Sequence, residues 1–248
     1  MEQRVAETVL DSLSEKDYNW LHTIALTTTQ QLVALLAESK VLDPTDSDPK
    51  PGDLDDEPEH RIAALRRVKA AQVVGALLVD VMGEVTSSEA ATAVWLGASL
   101  ADLGSATGSS RQAARKRWPD LGQIYRTRRW LYGHRDSILY ICDLLIEARP
   151  NVKRRPQFTQ EDVDEAYTSL IWALAQVRAD FESGSAMLEP PTSNQRIVRW
   201  QRLRELVDTH IRRMIEVLGP ADGEAGFATA GAGGLMEYFD TATTATAP

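Results

Sequence analysis

Residues 99–118 read SLADLGSATGSSRQAARKRW, and the way this stretch divides decides the reading of the whole chain. Leu100 and Leu103 recur at a helical step, with Ala106 and Thr107 one turn further on, which predicts a short helix with one inward face. Gly108 breaks it. Ser109 or Ser110 is placed to cap a second helix, in which Ala113, Ala114 and Trp118 are spaced to face a core. Arg111, Gln112, Arg115 and Lys116 then point elsewhere.

Positive charge gathers at and just beyond this second helix. Between Arg111 and Arg135, eight basic residues (Arg111, Arg115, Lys116, Arg117, Arg126, Arg128, Arg129 and Arg135) stand against one acidic residue, Asp120. The segment carries +7, leaving −16 on the rest of a chain whose total is −9. A net charge averages over patches that a ligand meets separately, so overall acidity does not exclude a polyanionic partner.

The chain of 248 residues is long enough for one large or two small domains with a hydrophobic core. Its single cysteine, Cys142, excludes an intramolecular disulfide and a thiolate metal site, which fits a reducing interior. The opening MEQRVAETVLDSL interrupts its apolar residues with acids and shows no small-residue cleavage signal, so no secretory leader is expected. No apolar run approaches the ~18 residues needed to cross a bilayer. These features predict a soluble, cytoplasmic protein without membrane contact.

Towards the N-terminus, Ser14 and Asp17 have capping-box spacing and precede a helix ending near Lys40, with Trp20, Leu21, Ile24, Leu32, Leu35 and Leu36 on its apolar side. Residues 42–59 contain four prolines, one glycine and eight carboxylates and are expected to be an acidic linker. Two readings stay open for it: a solvated loop, or a DNA mimic that folds back on the basic patch. A long helix is predicted from His60 to about Val81, with Gly83 as its stop. Ser87 or Ser88 then starts another helix, EAATAVWL, ended by Gly97, with Val94 and Trp95 available to pack against the short-helix pair.

Towards the C-terminus, Pro119 ends the basic helix and Gly122 marks a turn. A long helix follows, with Ile138, Leu139, Ile141, Leu144 and Leu145 as core, closed by Pro150. Lys153, Arg154 and Arg155 are either a second phosphate-contacting spot or an exposed linker. Helices from Glu161 to Glu182, capped by Thr159, and from Asn194 to Leu218 are both amphipathic and predict an antiparallel hairpin. Its apolar stripe serves equally to close the monomer or to meet a second copy. Beyond Pro220 the composition falls to Ala, Gly and Thr, which predicts a disordered tail whose one cohesive patch is LMEYF, residues 235–239.

The expected fold class is therefore all-α: a helical bundle with a central helix-turn-helix unit and a C-terminal helical hairpin. The boundaries read as an N-terminal helical segment (1–41), the linker (42–59), the central domain (60–150), the hairpin (156–219) and the tail (220–248).

The segment GASLADLGSATGSSRQAARKRW resembles the helix-turn-helix of bacterial DNA-binding proteins of the actinobacterial regulator type. In that variant Gly-Ala-Ser precedes the first motif helix and Ser-Arg-Gln-Ala-Ala opens the second; the likeness spans about residues 88–120. Ser109 departs from it by occupying a place where an aliphatic residue usually packs between the helices, and Gly104 stands where alanine is frequent. The resemblance implies a sequence-specific transcriptional regulator in the nucleoid, reading the major groove of double-stranded DNA with residues 110–118. A homodimer is expected, because two half-sites reinforce one weak contact.

Arg and Gln reach base edges in bidentate fashion, which makes Arg111, Gln112 and Arg115 the base readers. Ser99, Ser110, Lys116, Arg126, Arg128 and Arg129 are the phosphate contacts, giving affinity and register without sequence information. Two other readings are a protein-binding adaptor or antagonist with a non-DNA-binding helix-turn-helix, and a nucleoid-associated protein. The histidines His22, His60, His134 and His210 are scattered, without metal-ligand spacing, and read as surface or helix-end residues. Asp162 and Glu165 lack a second carboxylate pair at di-iron spacing. No nucleotide loop or nucleophile stands out, so no enzymatic activity, cofactor or metal is expected.

Overall fold

Helix caps predicted from serine and threonine positions organise the protein. The structure is a computed structural model that describes residues 13–39, 57–186 and 192–244. Among these the chain is all-α, with no strand beyond an isolated bridge between Arg154 and Leu218. It divides into two units, Met1–Glu89 and Ala90–Pro248.

The first unit contains helix α1 (Glu15–Glu38), whose cap Ser14 accepts the Asp17 N–H. None of its residues is buried, and Trp20, Leu21, Ile24 and Leu35 are exposed. Helix α2 (Glu57–Trp95) has 39 residues. It begins inside the expected linker and runs through Gly83 and Ser87, so the separate helix expected at EAATAVWL is corrected to the last turns of α2. A single interior glycine costs only about 1 kcal/mol, too little to break a long helix. The Thr86 hydroxyl nearby donates back to the Met82 carbonyl (2.6 Å). Most of the acidic linker lies outside the described residues, and so do both readings of it.

The second unit begins with the end of α2, which Gly97 terminates at a positive φ of 110°. It continues through α3 (Leu100–Ala106), α4 (Arg111–Arg117) and α5 (Leu121–Glu147). Gly122 lies in the first turn of α5 instead of marking a turn. A 3-10 turn (Arg149–Asn151) leads to α6 (Gln160–Ala186), capped as expected by Thr159, whose hydroxyl accepts the Asp162 N–H (3.1 Å). After it come α7 (Ser193–Glu205), a π-helical segment (Leu206–Ile211) and α8 (Arg212–Val217).

Tyr167, Leu170 and Val177 of α6 meet Leu203, Leu206, Val207, Ile211 and Met214 in one core with Leu131, Ile138, Cys142 and Leu145 of α5. The hairpin's apolar stripe thus closes the monomer. Burial pushes the Cys142 thiol up to about 12, so it stays a neutral core group.

Arg154 and Arg155 tether the hairpin. Arg155 donates its backbone N–H to Val217 (2.9 Å) and its Nε to Leu218 (2.9 Å), and Gly219 N–H returns to the Lys153 carbonyl (2.7 Å). Arg154 donates to the Phe158 carbonyl (2.7 Å).

The expected disordered tail is corrected. Helix α9 (Gly223–Thr244) buries Ala225, Ala228, Ala232, Met236, Phe239 and Thr243, spaced at three- and four-residue steps, and packs against α5. Ala and Gly supply little apolar area, but they allow close approach, and Ala is the best helix former. Met236 and Phe239, from the LMEYF patch, anchor the far end, with Phe239 meeting the Trp130 ring edge-on at 5.0 Å. Arg212 clamps the helix through Asp240 (2.7 Å) while also holding Asp208 (3.0 Å), and these carboxylates raise its pKa above the ordinary value. Truncating the nearly buried Phe239 to alanine is expected to cost about 3–5 kcal/mol, read as a lower urea midpoint with an unchanged slope.

Candidate nucleic-acid interface

The α3–α4 pair is built from local hydrogen bonds upward. Ser99 and Asp102 form a capping box: the Ser99 hydroxyl accepts the Asp102 N–H (3.2 Å) and the Ser99 N–H donates to the Asp102 carboxylate (2.7 Å). The Ser99 N–H and then its hydroxyl, which also donates to the carboxylate (2.8 Å), hold the Asp102 carboxyl below its usual range. Ser110, not Ser109, caps α4 by accepting the Ala113 N–H (3.1 Å). Both expected serine phosphate contacts are therefore engaged as caps.

Gly108 takes the left-handed conformation (φ 62°) that lets the chain reverse. At Gly104 the constraint is space, since a Cβ there would lie 2.8 Å from the Ser109 carbonyl oxygen and 3.1 Å from the Arg111 nitrogen. The Ser109 N–H closes this approach onto the Gly104 carbonyl (2.7 Å). Ser109 also pairs its hydroxyl with that of Thr107 (2.9 Å), so a local hydrogen bond takes the place of the aliphatic packing that the resemblance led one to expect.

A small core holds the pair in place. Leu103, Ala114, Trp118 and Leu121 pack with Ala90 and Val94, with Leu100 and Tyr125 at the edge. Two expectations are corrected: Ala106 and Ala113 are exposed, because seven-residue helices present only one buried turn each. Trp95 is buried in the larger core with Trp130 instead of supporting the short helices.

Arg111, Gln112, Arg115 and Lys116 are all exposed on α4. Arg117 covers the buried Trp118 ring (5.0 Å). Arg129 on α5 is exposed, but its neighbours are drawn inward. Arg126 donates to the Thr243 carbonyl near the end of α9 (3.3 Å). Arg128 donates to the Trp95 carbonyl (3.0 Å) and lies 3.5 Å from the Trp200 ring centre. Of the expected phosphate contacts, Arg126 and Arg128 are half-buried, and both guanidiniums meet backbone carbonyls near helix C-termini, where a cation opposes the negative end of the dipole.

Tertiary packing also assembles cations that sequence reading left apart. Arg135 of α5 and Arg199 of α7 both lie over the Phe181 ring, at 5.4 and 5.3 Å. The signal in the sequence was the three-residue recurrence Arg196, Arg199, Arg202 on one predicted helix. His134 and His210 are corrected from surface or helix-end positions to packed mid-helix ones. His134 stacks on Trp130 (4.5 Å), and His210 meets the Ser169 hydroxyl (2.9 Å), with burial lowering its pKa. Among the described residues no three His, Cys, Asp or Glu side chains converge as a metal site, and no helix is long and apolar enough to cross a membrane.

No family model matches this chain, and no curated protein or solved structure matches it either.

Replacing Gly104 by alanine tests the turn. An interior Gly-to-Ala change ordinarily gains about 0.5–1 kcal/mol, but here the new methyl meets backbone that cannot swing away, and overpacking of this kind costs about 1–3 kcal/mol. A net fall in melting temperature is expected by calorimetry.

Proposed function

We propose that this protein is a sequence-specific double-stranded DNA-binding protein, a bacterial transcriptional regulator that reads the major groove with residues 110–118. One observation carries the reading. Helix α4 holds Arg111, Gln112, Arg115 and Lys116 exposed together, while Ala114 and Trp118 anchor it in a core and Gly104 sets the turn behind it. A helix of this kind fits the major groove, and Arg and Gln match the donor and acceptor pattern of guanine and adenine edges. Lys116, with Arg129 nearby in sequence on α5, supplies phosphate contacts.

Substituting Arg111 and Arg115 together by alanine is expected to erase sequence preference, each lost base contact costing about 1–3 kcal/mol. Competition between specific and random duplexes in an anisotropy assay measures this. Retained preference would refute the site.

The proposal includes a homodimer formed through the first unit. The hairpin stripe is consumed inside the monomer core, whereas α1 exposes Trp20, Leu21, Ile24 and Leu35, and α2 exposes Leu65, Val68, Leu77 and Met82. Exposed large apolar side chains recurring along a helix are the kind of surface that a second copy can cover. Sedimentation equilibrium is expected to give twice the chain mass, reduced to that of the monomer by Leu65→Lys with Leu77→Lys. A monomeric wild-type protein at high concentration would remove this part of the reading.

A further inference from the structure

An arginine–aromatic stack in the second unit has no part in the reading of α4. Helix α5 contributes Arg128 and Arg135, α6 contributes Phe181, and α7 contributes Arg199 and Trp200. The Phe181 and Trp200 rings meet edge to face at 5.1 Å. Arg128 lies 3.5 Å from the Trp200 centre, Arg199 lies 5.5 Å from Trp200 and 5.3 Å from Phe181, and Arg135 lies 5.4 Å from Phe181. Three guanidiniums thus alternate with two rings.

The charges in this stack are poorly compensated. Arg135 pairs with its sequence neighbour Asp136 (2.7 Å), whose side chain is 83% exposed. The nearby carboxylate Asp180 is held by both its oxygens on Arg202. Arg199 makes no ion pair or hydrogen bond among the described residues, and its Nε is shielded from solvent without a partner. Burial, with Arg199 adding repulsion, brings Arg128 down to about 10; burial and then Arg196 and Arg135 lower Arg199. Like charges are thus crowded together, with the Arg199 Nε unspent. Cation–π contacts of about 0.5–2 kcal/mol each offset part of that cost. An oxyanion would offset the rest.

The chemistry of the stack selects the kind of anion. A guanidinium over a ring keeps its N–H donors in its own plane for a phosphate oxygen, and the exposed Tyr132 ring lies beside them, 5.7 Å from Arg128. Arg128 is moreover hydrogen-bonded to Trp95, the last residue of α2, whose preceding Ala90 and Val94 lie in the core beneath α3 and α4. We propose that Arg199 and Arg135 contact backbone phosphates of the same duplex that α4 reads, with Arg128 as their positioning residue. The inference rests on the DNA-binding reading and adds a sequence-independent contact to it.

Anisotropy of a labelled duplex over a salt series, with the full chain, tests it. Each phosphate neutralised contributes about 0.9 to the slope of log affinity against log salt. The double variant Arg135→Gln with Arg199→Gln is expected to lose about 1.8 from that slope, weakening specific and random duplexes by the same factor. Lysine at both positions restores the slope. Arg111→Ala is expected to do the reverse, relaxing preference while the contribution of the stack persists. If the double variant misfolds, Arg135→Gln alone, at a half-exposed position, is expected to lose about 0.9. An unchanged slope in a folded glutamine variant overturns this inference and leaves the reading of α4 standing. No duplex binding by the wild-type protein at low salt overturns both.

Discussion

The guanidinium of Arg128 is a polar contact between the end of α2, beside the α3–α4 region, and the helical bundle of the second unit. It rises from α5, donates to the last carbonyl of α2 and lies against the indole of Trp200 on α7. A charge-assisted hydrogen bond is worth about 1.5–3 kcal/mol, and a desolvated cation–π contact about 2 kcal/mol. Together these offset the cost of half-burying a cation whose pKa has fallen but which remains protonated at neutral pH. One side chain thus meets three helices that the apolar core also joins through Trp95, Trp130 and Trp200.

The rest of the second unit follows a similar economy of polar groups. Arg178 joins Asp143 across α5 and α6, Arg202 joins Asp180 across α6 and α7, and Arg212 joins Asp240 across α8 and α9. Half-exposed pairs of this kind add little net stability. Their value here is orientation, since the apolar core would tolerate sliding of amphipathic helices past one another more readily than the pairs do. Helix α9 illustrates the division: Ala225, Ala228 and Ala232 permit close packing on α5, Phe239 supplies burial, and Asp240 sets rotation about the axis.

Much of the candidate site was legible locally. The Gly108 turn, the start of α4 at a serine cap and the inward Leu103, Ala114 and Trp118 all follow from 3.6-residue periodicity and capping chemistry, which act over a few residues. The reading erred where a local signal was ambiguous. Gly83 has the composition of a stop yet sits within α2, and Ala106 and Ala113 are apolar yet exposed, because alanine costs little on either side of a helix. Composition likewise hid α9, in which small residues look like low complexity until a partner helix buries them.

What the sequence determined by itself was the helical class, the sites of capping and reversal, and the concentration of positive charge after residue 110, all properties of short windows. Only the tertiary structure decided how that charge is spent. Arg126 and Arg128 turn inward to helix ends, Arg111 and Lys116 stay on the surface, and Arg135 is joined by Arg199 from a helix 64 positions later in the chain. The destination of an arginine depends on which carbonyls and rings packing brings within its reach, and a linear pattern does not contain those distances.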